Sequence, residues 1–247
     1  KLITDKGFTI LAVEGDWPDC YQVNRYVKNY ENSGNSALDV LQNFHRWPSW
    51  MWANWETMAF VEWLRKHNYK LPTKLCVGFF GLDVYSLWES MEAIFSYSKE
   101  NYPEALPSIQ KAMACFEPFN VRGGLSYADR NYGMPISCQK EVLKLLVEMR
   151  KKVPQYKHDH EASFNAEQNP WVAKNAEHYY QSMLKGGEST WNIRDQHMTE
   201  TVERLIKHYG EEAKIIIWAH NTHIGDARAT PMRNNGLINI GQLIQQK

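Results

Sequence analysis

Ile215-Ile216-Ile217-Trp218-Ala219-His220-Asn221-Thr222-His223-Ile224-Gly225-Asp226-Ala227-Arg228 decides how this chain is read. Its first four residues are β-branched or aromatic, the pattern of a buried strand. The apolar run then stops in two histidines, an asparagine, an aspartate and an arginine. Ligands of an open α/β sheet bind just beyond the carboxyl ends of its strands. Polar side chains gathered at such a position are therefore candidates for chemistry.

Two further segments end in the same way. Phe8-Thr9-Ile10-Leu11-Ala12-Val13 runs into Glu14-Gly15-Asp16-Trp17-Pro18-Asp19, with three carboxylates in six residues. If the extended chain continues to Asp16, Glu14 and Asp16 point to one side. Leu75-Cys76-Val77-Gly78-Phe79-Phe80-Gly81-Leu82 delivers Asp83 and Tyr85. Three strands ending in acid, histidine or phenol are read as three sides of one site.

Bulk properties narrow the function classes. The 247 residues suffice for one large domain or two small ones, and 28 basic residues balance 28 acidic ones. A nucleic-acid footprint needs a basic stripe, and none is visible. No apolar run approaches a membrane helix in length. Cys20, Cys76, Cys115 and Cys138 are widely spaced, with no C-x-x-C pair. Reduced, mostly buried thiols in a cytoplasmic protein are the expectation, with two disulfides in an exported protein as the alternative. Ten Trp and 13 Tyr are unusually many. Trp47, Trp50, Trp52, Trp55 and Trp63 cluster in one stretch, read mainly as a helix packing its aromatic side into the core, and also as the wall of a broad apolar cleft.

Between the strands the pattern is helical. Helices are expected from Asp19 to Tyr30, from a Ser36 cap to Phe44, from Pro48 to His67, and from Asp83 to about Tyr97. Others are expected over Pro103–Phe116, over Ser137–Val153 with Val142, Leu145, Leu146 and Met149 as its buried stripe, and over Ala173–Leu184. Thr190 is read as the cap of a helix over Trp191–Tyr209, which Gly210 ends. His158 to Glu161 reads as a charged, solvated connection. The architecture is α/β: a central, mostly parallel sheet flanked by helices, with a large helical cap. Residues 1–247 are taken as a single domain, and 100–190 as a cap or insertion within it.

Several residues then carry possible chemistry. Asp19 suits the dipole of the helix it precedes, whereas Glu14, directly at a strand end, is read as a site residue. His220 and His223 form an H-x-x-H, which is either a catalytic pair or half of a metal site. Arg194 and Asp195 share the inner face of their helix with Met198. They form a structural ion pair, or Arg194 contacts substrate or an acid of the site. Asp226 and Arg228 pair with each other or with Glu14, and Asn221 stands between the histidines. Asp83 leads a weaker group containing Tyr85, Arg46, Asn54 and Glu89. His45, His67, His158, His160 and His208 are read as surface residues. No G-x-S-x-G elbow, phosphate loop or dinucleotide fingerprint occurs.

The chain resembles the erythromycin esterase family. The resemblance is carried in order by Val13–Asp19, Arg46–Trp52, Gly78–Ser90, Cys115–Phe119, Trp191–Met198 and Trp218–Arg228. It implies a catalytically important glutamate at Glu14 and a functional histidine pair at His220 and His223, with Asp16, Asp83, Tyr85, Arg194, Asp195, Asn221, Asp226 and Arg228 in supporting roles. It also implies an N-terminal Gly-Glu-x-x-His-Gly segment and further C-terminal strand, neither of which this sequence contains. The chain is thus expected to be truncated at both ends and, by itself, inactive or impaired. The implied reaction is hydrolysis of an ester or macrolide lactone, with a histidine as general base on water and no cofactor. The expected partner is a bulky apolar small molecule, with no nucleic acid and no membrane. Two alternatives stand beside it: a metal-dependent hydrolase with Glu14, Asp16, His220 and His223 as ligands, and a non-catalytic protein that binds a bulky apolar ligand.

Overall fold

The computed structural model describes residues 1–46, 49–116, 138–152, 159–185 and 190–247. The chain forms two compact units, Lys1–Asp83 with Thr201–Ile224, and Val84–Glu200 with Gly225–Lys247.

The first unit is built on three parallel strands, β1 (Ile10–Asp16), β2 (Gly78–Asp83) and β3 (Ile215–Trp218), in the order β2-β1-β3. Ile10 to Val13 align with Gly78 to Gly81 on one side and with Ile215 to Trp218 on the other. Parallel strands run out at the same edge, so the ends of all three segments lie together. β1 is central and wholly buried. Its register against β2 slips between Val13 and Asp16, and there the backbones crowd. A Cβ on Gly81 would stand 2.5 Å from the Gly15 carbonyl oxygen, so glycine alone fits.

Helix α1 (Leu2–Lys6) precedes β1, and α2 (Trp17–Val27) starts as β1 ends, with Pro18 in its first turn, where a missing N–H is harmless. Helix α3 (Ala37–Leu41) is closed by a capping box of Ser36 and Asp39. Helix α4 (Trp55–Asn68) is capped by Asn54, whose side chain accepts from the Thr57 N–H. Leu11, Val13, Val23, Val27, Val61, Leu64 and Phe79 make one core of strand and helix residues. Two asparagines tie helix to strand: Asn24 accepts from the Phe79 N–H, and Asn68 bonds both the N–H and C=O of Val77.

The second unit is helical in its described residues. It contains α5 (Leu87–Asn101), α6 (Leu106–Phe116), α7 (Gln139–Lys152), α8 (His160–Lys185), residues 190–200 of α9 (Thr190–Tyr209), and α11 (Ile240–Gln245). Its core joins Leu87, Met91, Ile94, Ile109, Val142, Leu145, Ala173 and Tyr180. Short α10 (Asn221–Ile224) belongs to the first unit.

The α/β architecture stands as read, and several local expectations change. β3 is not buried: Ile215 to Ile217 are half-buried and Trp218 is 44% exposed, because other side chains cover it only in part, whereas β2, at the opposite end of the strand order, is covered at every residue. Cys115 and Cys138 are joined in a disulfide, while Cys20 and Cys76 are free and buried. The expectation of reduced thiols therefore fails for one pair. The expected helix from Pro48 is a 3₁₀ turn over Ser49–Met51 followed by α4, since Asn54 starts a new helix. Of the Trp cluster only Trp52 is buried; Trp50, Trp55 and Trp63 are exposed, and Trp47 lies outside the described residues. The helix expected from Ala173 begins at His160 and runs through Pro170. It takes in His160 and Glu161 of the connection read as solvated, and Glu161 is buried. Thr190 is the first residue of α9 and not its cap. His158 and the side chains of Leu146 and Met149 lie outside the described residues.

Candidate active site

The edge where β1, β2 and β3 end carries the acids and histidines. Glu14 leaves β1 as a buried carboxylate. Its Oε2 accepts the backbone N–H of His220 at 2.8 Å, and its Oε1 lies 3.5 Å from His223 Nε2. One carboxylate thus grips the turn after β3 by main chain and side chain together. The reason is positional: Val13 pairs with Trp218, so the residue after Val13 faces the turn two residues beyond Trp218. The Glu14 carbonyl accepts the Trp52 indole N–H at 2.6 Å, which holds the bend from its other side.

The two histidines differ. His223 lies in α10 and is buried against Glu14. His220 precedes α10 and is exposed. Its Nδ1 stands 2.8 Å from Thr222 Oγ1 and accepts the Thr222 backbone N–H at 3.3 Å. Asn221 is also exposed.

Asp16 and Asp83 are buried at the same edge and aligned in register. Asp16 Oδ2 accepts Arg46 Nε at 2.7 Å, a charge-assisted bond. Glu14 and Asp16 therefore serve different partners. Among the described residues no group of three or more His, Cys, Asp or Glu is placed to hold a metal ion. The ligand set Glu14, Asp16, His220 and His223 is not assembled as such.

In the second unit, the Arg194 guanidinium lies over the Tyr85 ring at 5.1 Å. The Tyr85 carbonyl accepts the Tyr180 hydroxyl at 2.9 Å. Asp195 is fully buried, and its Oδ1 accepts the N–H of Ile240, the first residue of α11. That bond gives Asp195 a structural partner other than the Arg194 of the expected ion pair. Asp226 and Arg228 pair with each other, Nη2 to Oδ2 at 2.6 Å. The Arg228 hydrogen bond holds the Asp226 carboxyl below its usual range, and the Asp226 bond raises Arg228. Asn54 is a helix cap.

Two contributors escaped sequence reading. Trp52 appeared there only as part of an aromatic cluster, and Thr222 only inside the quoted motif. In the second unit, His197 is buried with Nδ1 2.9 Å from Asn175 Nδ2.

A parallel sheet that gathers a buried carboxylate and two histidines at its carboxyl edge defines the class: an α/β protein with a carboxylate–histidine site beyond its strand ends. The chain belongs to the erythromycin esterase family, whose profile it matches over residues 3–247. Three solved structures share the fold. A succinoglycan biosynthesis protein is 18% identical with a TM-score of 0.67, covering 99% of this chain and 56% of its own. A protein from Bacillus cereus is 19% identical with a TM-score of 0.69, again covering 99% and 56%. A mutant of the erythromycin esterase EreC, in its open conformation, is 14% identical with a TM-score of 0.67, covering 100% and 61%. The chain spans 56 to 61% of the length of these structures.

Proposed function

We propose that this chain carries the carboxylate–histidine site of an ester hydrolase of erythromycin-esterase type. The observation behind the reading is the double grip of Glu14 on the histidine turn, through the His220 N–H and the His223 ring. Ester hydrolysis by water needs a base for the attacking water and a donor for the carbonyl oxygen that becomes anionic. Two imidazoles beside one buried carboxylate supply groups of both kinds, and the carboxylate fixes where they stand. The general base on water is an imidazole of this pair.

The substrate class is a bulky apolar ester, with a macrolide lactone as the family's example. Trp63 stacks on Phe60 at 5.8 Å, Phe60 meets Trp218 at 6.2 Å, and Trp218 meets Trp52 at 5.1 Å. This aromatic run is partly exposed at Trp63 and Trp218, and Trp218 stands two residues before His220. No described helix is long and apolar enough to cross a membrane. The Cys115–Cys138 disulfide suits an oxidising compartment and weighs against the cytoplasmic expectation.

Turnover of erythromycin and a panel of simple esters, followed by mass spectrometry, tests the proposal on this chain and on any longer polypeptide containing it. A water-added product that disappears in Glu14→Gln and His220→Ala supports it. Ligand retained without product would make this a binding protein instead.

A further inference from the structure

The exposed histidine of the pair carries an orientation that its neighbour dictates. The His220 main chain is pinned, because its N–H donates to Glu14 Oε2 at 2.8 Å. The ring then turns back so that Nδ1 meets Thr222 twice, with the hydroxyl at 2.8 Å and the backbone N–H at 3.3 Å. A hydroxyl can give or take a hydrogen bond, but a backbone N–H can only give one. The atom it points at must offer a lone pair. Nδ1 is therefore unprotonated in the neutral ring, the Thr222 hydroxyl also donates to it, and the ring proton sits on Nε2. Nε2 makes no hydrogen bond among the described residues, and the side chain is exposed.

Resting on the hydrolase reading above, we propose that Thr222 is a positioning residue that fixes His220 as an Nε2–H donor to the carbonyl oxygen of the ester. In this tautomer the outward nitrogen has a proton and no lone pair. It can stabilise an oxyanion as it forms, and it cannot take a proton from water. The general base is then a group other than His220. Thr222 acts only through His220, and both of its contacts have to hold, since an N–H at 3.3 Å is by itself a weak restraint.

The test combines a spectroscopic readout with kinetics. Nitrogen-15 chemical shifts of histidine-labelled protein distinguish a protonated from an unprotonated ring nitrogen, and His220→Gln assigns the signals. The neutral His220 ring is expected to be protonated on Nε2. Thr222→Val, which removes the hydroxyl but keeps the shape, is expected to mix the two tautomers. It is also expected to lower kcat for p-nitrophenyl butyrate roughly 10-fold, with KM little changed. Thr222→Ser restores both. A ring protonated on Nδ1, or a Thr222→Val protein with unchanged kcat, overturns the inference. The two readings fail separately. Glu14-dependent turnover with an Nδ1-protonated ring defeats this inference alone. Absence of turnover with an Nε2-protonated ring defeats the hydrolase reading, and the donor role with it.

Discussion

Single residues carry most of the site's logic, and Glu14 carries the most. Its carboxylate serves the His220 N–H and the His223 ring from one buried position. A buried acid in charge-assisted hydrogen bonds costs stability when neutralised. Glu14→Gln is expected to lose about 1–3 kcal/mol in urea unfolding and to lower ester turnover at least about 100-fold. Gly81→Ala tests the crowded strand crossing. Its methyl would meet the Gly15 and Asp16 backbones at 2.5–2.6 Å, and backbone cannot swing aside as a side chain can. A loss of about 3 kcal/mol or more in the same assay is expected. Tyr26 gives a pH signature. Burial, then the hydrogen bond to Glu62, push its phenol up to about 12. The folded state holds this proton more tightly than the unfolded chain, whose Tyr titrates near about 10. The contribution is therefore complete below about pH 10 and lost as pH rises through 12. Urea midpoints at pH 9 and pH 11 should fall less in Tyr26→Phe than in the unaltered protein.

At the scale of elements, a few polar side chains hold the junctions. Glu62 of α4 accepts from the Tyr26 hydroxyl of α2 and from the Ala37 N–H that opens α3. One carboxylate thus joins three helices. Asn68, at the end of α4, bonds the Val27 carbonyl and both main-chain groups of Val77. Replacing it with alanine would leave those groups buried and unsatisfied, and Asn68→Ala is expected to cost about 3 kcal/mol. Ser36→Ala removes one helix cap and should cost about 1 kcal/mol. The difference between these two variants, measured by urea unfolding, separates an element junction from a local cap. β3 and β1 are both apolar, yet β1 is buried throughout and β3 only partly. Side-chain cover decides this, since β2 also stands at an end of the strand order and is wholly buried, with its Phe80 covered by Trp17 and Tyr209.

At the scale of the molecule, the two units differ in what restrains them. The first is organised by its sheet, and the second by helices and the Cys115–Cys138 disulfide. The bridge links residues 23 apart in sequence, and a loop of that size is worth about 3 kcal/mol in the chain-entropy picture. Adding a thiol reductant should therefore lower the thermal midpoint of the second unit, and Cys115→Ser should reproduce the shift without reductant. A thermal midpoint indifferent to both would show that the bridge adds nothing to stability.

The sequence by itself determined what depends on neighbouring residues. Three apolar runs ending in polar clusters marked the strands and placed chemistry at their carboxyl ends. Ser36 and Gly210 marked helix boundaries, and the ordered motifs pointed to the family. Tertiary structure alone decided what depends on residues far apart. It chose Cys115 as the partner of Cys138, left β3 only partly covered, and gave Asp195 the Ile240 N–H at the start of α11. It also sent Glu14 to the histidine turn and Asp16 to Arg46, and it separated a buried His223 from an exposed His220. The physical reason is range. Propensity, capping and hydrophobic period act over a few residues and can be read in a short window. Strand order and buried pairing arise from groups tens to hundreds of residues apart, and no local pattern encodes which of them will meet.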